Sequence, residues 1–114
     1  MTKPIIKNDS LYQLVRDGRI EEFNQRKKAG EVCDFQSVDL RTVDLRGIDA
    51  RGLDFSHAYF RQADLRGVDF SCSKLDGASI NAAKISGTFF PANIKAEEIL
   101  LSLNHGTRMR SGTF

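Results

Sequence analysis

The chain has no tryptophan, and among its 114 residues only two each of cysteine, proline, methionine, histidine and tyrosine. Each scarcity narrows the field. Cys33 and Cys72 form no CxxC and show no metal-ligand spacing, so neither a zinc site nor a disulfide framework is expected. With only His57 and His105, a histidine-based catalytic or metal centre has few members to draw on. The longest apolar run is Ile99-Leu100-Leu101, far short of the ~20 residues of a membrane span. No apolar stretch follows Met1-Thr2-Lys3-Pro4, so no secretory leader is read and a cytoplasmic location is expected. The net charge of +2 is too small to require a nucleic-acid partner.

What the chain has instead is a repeat. Residues 44–50 read DLRGIDA and residues 64–70 read DLRGVDF. Stepping by five from Phe35 meets Leu40, Leu45, Ala50, Phe55, Phe60, Leu65, Phe70, Leu75, Ile80, Ile85 and Phe90, all apolar. Two residues before each lies a second column, mostly small or β-branched, from Cys33 and Val38 to Ala83 and Thr88. Between the columns stand Asp34, Asp39, Asp44, Asp49, Asp54, Asp64 and Asp69. Arg41, Arg46, Arg51, Arg61 and Arg66 follow the central residue, and Gly47, Gly52, Gly67, Gly77 and Gly87 close their units.

A period of five fits no helix, whose period is 3.6. It fits short extended pieces with two inward residues, separated by corners where glycine tolerates positive φ. Four corners close a square, so four units make a twenty-residue circuit on which DLRG stacks upon itself. Residues 31–90 then form three circuits, with Leu45, Leu65 and Ile85 expected in one interior column.

This pattern resembles the pentapeptide-repeat family, whose consensus is A(D/N)LXX, over residues 31–90. The resemblance implies an all-β solenoid, a right-handed quadrilateral β-helix of three coils. The sequence departs from the consensus where Tyr59, Lys74, Ser79, Lys84 and Phe89 replace the acidic residue. It departs again at Ile48 and Leu53, bulky where the family is small; Ala50 between them keeps the core volume level.

A short solenoid needs caps at both ends. Residues 1–30 read as a helical cap: one helix behind Ser10 as N-cap, with Leu11, Leu14 and Val15 inward and Gly18 as its stop. A second runs from Arg19 to Ala29 with Ile20 and Phe23 inward. Residues 91–114 form a C-terminal cap with a helix over Ala96–Asn104. Its apolar residues Ile99, Leu100, Leu101 and Leu103 cover too wide an arc for one face, which marks them as a candidate dimer interface. The alternative is that the tail, through Met109 and Phe114, folds over the leucines and keeps the chain monomeric.

For function, counting pentads stacks Arg41 on Arg61 and Arg46 on Arg66, a two-by-two grid with Asp39, Asp44 and Asp64 beside it. It reads as a solvated face of alternating charge or as a surface for an acidic partner. The expected function is a non-enzymatic protein-binding or scaffold module with an unidentified protein partner, homodimeric through its C-terminal end. No catalytic residue, cofactor or metal is expected. Some pentapeptide-repeat proteins protect DNA gyrase and other topoisomerases by resembling a DNA duplex. That alternative ranks lower here, because three coils are short and Arg is mixed with Asp. A small thiol or hydrolytic enzyme would rest on Cys72 and His57 alone, with no cleft implied.

Overall fold

A computed structural model describes residues 4–7 and 9–112. From Phe35 onward each pentad spends two residues in a tight turn. The amide of Ile48 donates to the carbonyl of Leu45 (3.1 Å), and that of Val68 to Leu65 (3.1 Å). The third turn residue has positive φ, 84° at Gly47 and 73° at Gly67, as a type II turn requires. After four turns the chain returns over itself. Leu45 N donates to Asp64 O (2.9 Å) and Asp64 N to Val43 O (2.9 Å). One circuit on, Leu65 N donates to Lys84 O (2.9 Å) and Lys84 N to Ala63 O (3.0 Å). Parallel bridges therefore join residues twenty apart, such as Asp44 with Asp64 and Asp64 with Lys84.

The expected all-β class, a right-handed quadrilateral β-helix, needs correction. Among the described residues there is no β-strand and no sheet; the elements are three short helices and a set of isolated bridges. The physical reason is the period itself. Two of every five residues turn, and of the three left on each side only the middle one forms a bridge before the next corner breaks the ladder. A strand typically runs 5–6 residues. The stacking contacts are those of β-structure, but no side is long enough to extend them.

Both columns face inward. The central residues from Phe35 to Ile80 are buried, as are Val38 to Ala83 of the second column, while Ile85, Phe90, Cys33 and Thr88 at the two margins are partly covered. Full burial of each large side chain stabilises the fold by about 1.5–3 kcal/mol relative to exposure. Phe35 stacks on Phe55 with centroids 5.1 Å apart, and Phe55 meets Phe70 edge-on at 5.7 Å. The polar members of the small column are satisfied: Ser73 Oγ donates to Ala50 O (2.5 Å) and Thr88 Oγ1 to Leu65 O (2.6 Å).

Helices lie at both ends. α1 (Ser10–Arg16) is capped by Asp9, not by the expected Ser10. The Asp9 carboxylate accepts from the amides of Leu11 (2.9 Å) and Tyr12 (3.1 Å), one residue earlier than the hydroxyl could. α1 buries Leu11, Leu14 and Val15, and Tyr12 with them. α2 (Ile20–Lys28) buries Ile20 and Phe23, with Glu21 and Glu22 in its first turn and Arg26, Lys27 and Lys28 in its last. Phe23 meets Phe35 edge-on at 5.7 Å, which seats α2 on the first circuit. α3 (Ala96–His105) ends at Gly106, whose φ of 73° suits a left-handed C-cap. No helix among the described residues is long and apolar enough to cross a membrane.

Candidate functional site

Four arginines share one geometry. Arg41, Arg46, Arg51 and Arg66 each turn back onto the aspartate two residues earlier. In each, the carboxylate takes a side-chain fork and also the arginine's own amide. For Arg41 the distances to Asp39 are 2.9 Å (Nε), 2.8 Å (Nη2) and 3.0 Å (N). Arg46 also reaches Asp64 in the next circuit (3.4 Å). These hydrogen bonds, the arginine side chain first, hold Asp39, Asp44, Asp49 and Asp64 below the ordinary carboxylate range. The guanidiniums stand largely in solvent, where screening leaves such pairs little weight in stability.

Arg61 is the exception. Its pentad carries Tyr59 where the others carry aspartate. Among the described residues the Arg61 side chain has no hydrogen bond or ion pair. Tyr59 instead accepts a hydrogen bond from Arg108 (2.7 Å), whose guanidinium lies 5.3 Å from its ring centroid. Of the predicted grid, Arg41, Arg46 and Arg66 are thus held by carboxylates and Arg61 is not.

A groove of about 370 Å³ opens at this corner, lined by Arg16, Asp39, Arg41, Thr42, Arg61 and Gln62. Sequence reasoning missed Arg16, Thr42 and Gln62 as members. Arg16 arrives from α1 and donates to the carbonyl of Arg41 (2.8 Å). Thr42 and Gln62 hold the corner with φ of 65° and 59°, at a position where five other pentads have glycine. A β-branched residue in that region is strained. The one signal in the sequence was Tyr59, the first break in the aspartate column.

A larger hollow of about 540 Å³ runs between Lys27, Val32, Cys33, Arg51 and Leu53. Cys33 lies 3.6 Å from Asp9 Oδ1, and burial, then the Asp9 charge, push its thiol up to about 12. It is held protonated and is a poor nucleophile at neutral pH. His57 and Cys72 occupy different corners. His57 N donates to Asp76 O (2.9 Å), while Cys72 O accepts from Gly52 N (2.8 Å). The His57 ring lies over Gly77, where an added Cβ would come within 2.3 Å of Nδ1. Among the described residues no hydrogen bond joins His57 to Cys72, and no cluster of His, Cys, Asp and Glu is placed to hold a metal ion.

At the other end Ile99 and Leu103 are partly buried against the core, while Leu100 and Leu101 are 55% and 40% exposed. Among the described residues the tail does not spread over them. Met109 is fully buried and pairs with the last circuit through Met109 N to Ala78 O (2.8 Å) and Gly77 N to Met109 O (2.7 Å). Phe114 lies outside the described residues.

The family model for pentapeptide repeats (8 copies) matches residues 33–71 and 54–90, together just over half of the chain. The chain belongs to the pentapeptide-repeat family. No curated protein and no solved structure gives a match. Membership makes the chain a repeat-protein module. The family's pentads run through the arginine corners, whereas α1 and α3 lie outside the matched residues.

Proposed function

We propose that this pentapeptide-repeat protein is a non-enzymatic, cytoplasmic binding module. It pairs with a second copy through its C-terminal end and presents the face of Arg41, Arg46, Arg61 and Arg66 to a protein partner. The observation that carries the reading is the open half of the last circuit. Within the stack, the amides of Leu65, Gly67 and Phe70 donate to Lys84, Ser86 and Phe89 one circuit on. Their equivalents, Ile85, Gly87 and Phe90, have no partner among the described residues. Phe89 on the same half is 63% exposed, and Leu100 and Leu101 of α3 stand exposed at the same end. Unsatisfied amides beside apolar side chains favour association, and a two-fold pair needs only one self-complementary patch. Two unpaired cysteines agree with a reducing compartment. The DNA-mimic alternative has no such observation behind it, since the carboxylates of the arginine face are already bound to guanidiniums.

Sedimentation equilibrium tests the pairing. The wild-type chain is expected to sediment as a dimer at micromolar concentration, and Leu100→Glu with Leu101→Glu as a monomer of unchanged helix content. A wild-type monomer, or a dimer indifferent to both substitutions, would overturn the reading.

A further inference from the structure

We propose that the groove between Arg16, Arg41 and Arg61 is a binding site for a phosphoryl oxyanion. The adjacent column supplies the comparison. There Arg46 and Arg66 stack with two carboxylates, Asp44 and Asp64, and the charges cancel. In the groove column Asp39 bridges to Tyr59, so only one carboxylate stands where Arg41 and Arg61 stack, and α1 adds Arg16. Three guanidiniums face one aspartate, an excess of two positive charges.

Asp39 cannot relieve that excess. It is 5% exposed, and Arg41 occupies both its oxygens, Oδ1 from Nε and Oδ2 from Nη2. Arg16 spends one N–H on a neutral carbonyl and, among the described residues, has no ion pair. Arg61 has neither. All six lining residues are polar, so an apolar ligand would find no matching surface. The Gln62 side-chain carboxamide has no hydrogen bond among the described residues and supplies an uncharged donor.

Guanidinium forks match phosphoryl oxygens in pairs. A phosphoryl monoester carries a charge of about −1.5 to −2 at neutral pH, which balances the two unpaired arginines. A single carboxylate would leave one charge over. A nucleic-acid strand carries one charge per phosphate and needs a track of sites, whereas the neighbouring arginines are already neutralised. The phosphoryl group can come from free inorganic phosphate or from a phosphorylated side chain.

The test titrates inorganic phosphate, a phosphoserine peptide and acetate into the full chain at constant ionic strength, followed by amide chemical shifts. Phosphate is expected to bind saturably with Kd of about 1 mM, moving the amides of residues 41, 42, 61 and 62. A phosphoserine peptide binding at least about tenfold more tightly names a phosphorylated protein as the source, and equal affinity names free phosphate. Arg61→Gln and Arg16→Gln should each weaken binding about tenfold, and Arg46→Gln should not. Tyr59→Asp should act like Arg61→Gln, because it returns the missing carboxylate to Arg61. Shifts that never saturate, acetate binding as tightly as phosphate, or equal losses from Arg46→Gln and Arg61→Gln would overturn the proposal.

Discussion

At the first circuit, side chains of α1 and α2 reach backbone groups that a preceding circuit would otherwise meet; at the last, only half of the circuit receives such partners. Tyr12 donates its hydroxyl to Asp39 O (2.6 Å) and Arg16 donates to Arg41 O. Asn24 plays both parts, donating to Gly47 O and accepting from Asp49 N, each at 2.9 Å. Ile5 pairs as an extended segment, through Ile5 N to Ser37 O and Asp39 N to Ile5 O. At the far end Ile80 N donates to Ser102 Oγ (2.9 Å) and Ala82 N to Leu103 O (3.0 Å). From Ile85 to Phe90 no such partner is seen among the described residues, and Ile85 and Phe90 are only partly buried. A repeat stack does not end by itself: each terminal circuit needs donors, acceptors and apolar cover from outside the repeat. Here the first end is covered more fully than the last, though the Asp44 and Asp54 amides have no partner among the described residues.

The largest effect should come from breaking what the two ends share. Leu65 is 1% exposed, and Leu65→Asp places an unpaired charge in the dry core. A loss of about 5 kcal/mol or more is expected, enough to abolish the cooperative melt of a marginally stable domain. Wild-type-like thermal unfolding of this variant would mean that the circuits do not share one core.

The two ends should then respond unequally to the same truncation. Phe23→Ala removes a fully buried ring from the more fully covered end and should cost about 3–4 kcal/mol in urea unfolding. Phe90→Ala, at the half-covered end, should cost about 1–2 kcal/mol, since less of its surface leaves water on folding. Equal losses would show that Phe90 is covered in solution, as a dimer would cover it. Repeating the pair in the Leu100→Glu background separates these cases.

The smallest effect concerns acid. The Glu98 carboxylate accepts from Arg110 Nη2 (2.7 Å) and Nε (3.1 Å) and from its amide (2.8 Å), tying the tail to α3. The Arg110 side chain first, then its amide, hold Glu98 down to about 2 from 4.5. A depressed carboxylate contributes stability that is complete above its unfolded value and lost as pH falls through its folded one. The C-terminal tie should therefore weaken between about pH 4.5 and 2, and Glu98→Gln should remove that part of the acid dependence. Hydrogen exchange at Gly77 and Met109 reads it locally. An unchanged acid profile in Glu98→Gln would mean that the tail is held by its other contacts, Met109 in the core and Arg108 on Tyr59 among them.

Much of the core was legible in the residue order. Phe35 to Phe90 at steps of five, with small residues two before, specify which side chains face inward, because a corner after every third extended residue leaves no other phase. The fold class was not legible in the same way. Composition and period both pointed to β-structure, but whether a side is long enough to count as a strand depends on backbone geometry at the turns. The Asp9 N-cap was missed because Asp9 and Ser10 are both good caps, and residue type alone does not choose between them.

The arginine face divides along the same line. Asp39 with Arg41, Asp44 with Arg46 and Asp64 with Arg66 are two residues apart, so their pairing is set within each pentad and follows from sequence alone. That Arg61 has no carboxylate also follows, since Tyr59 stands in its place. What only the tertiary structure decided is that Arg16, from a helix outside the repeat, comes to rest at the same corner. Local electrostatics is fixed by spacing along the chain, whereas the meeting of Arg16 and Arg61 depends on how α1 packs its buried face, Leu11, Tyr12, Leu14 and Val15, across the end of the core.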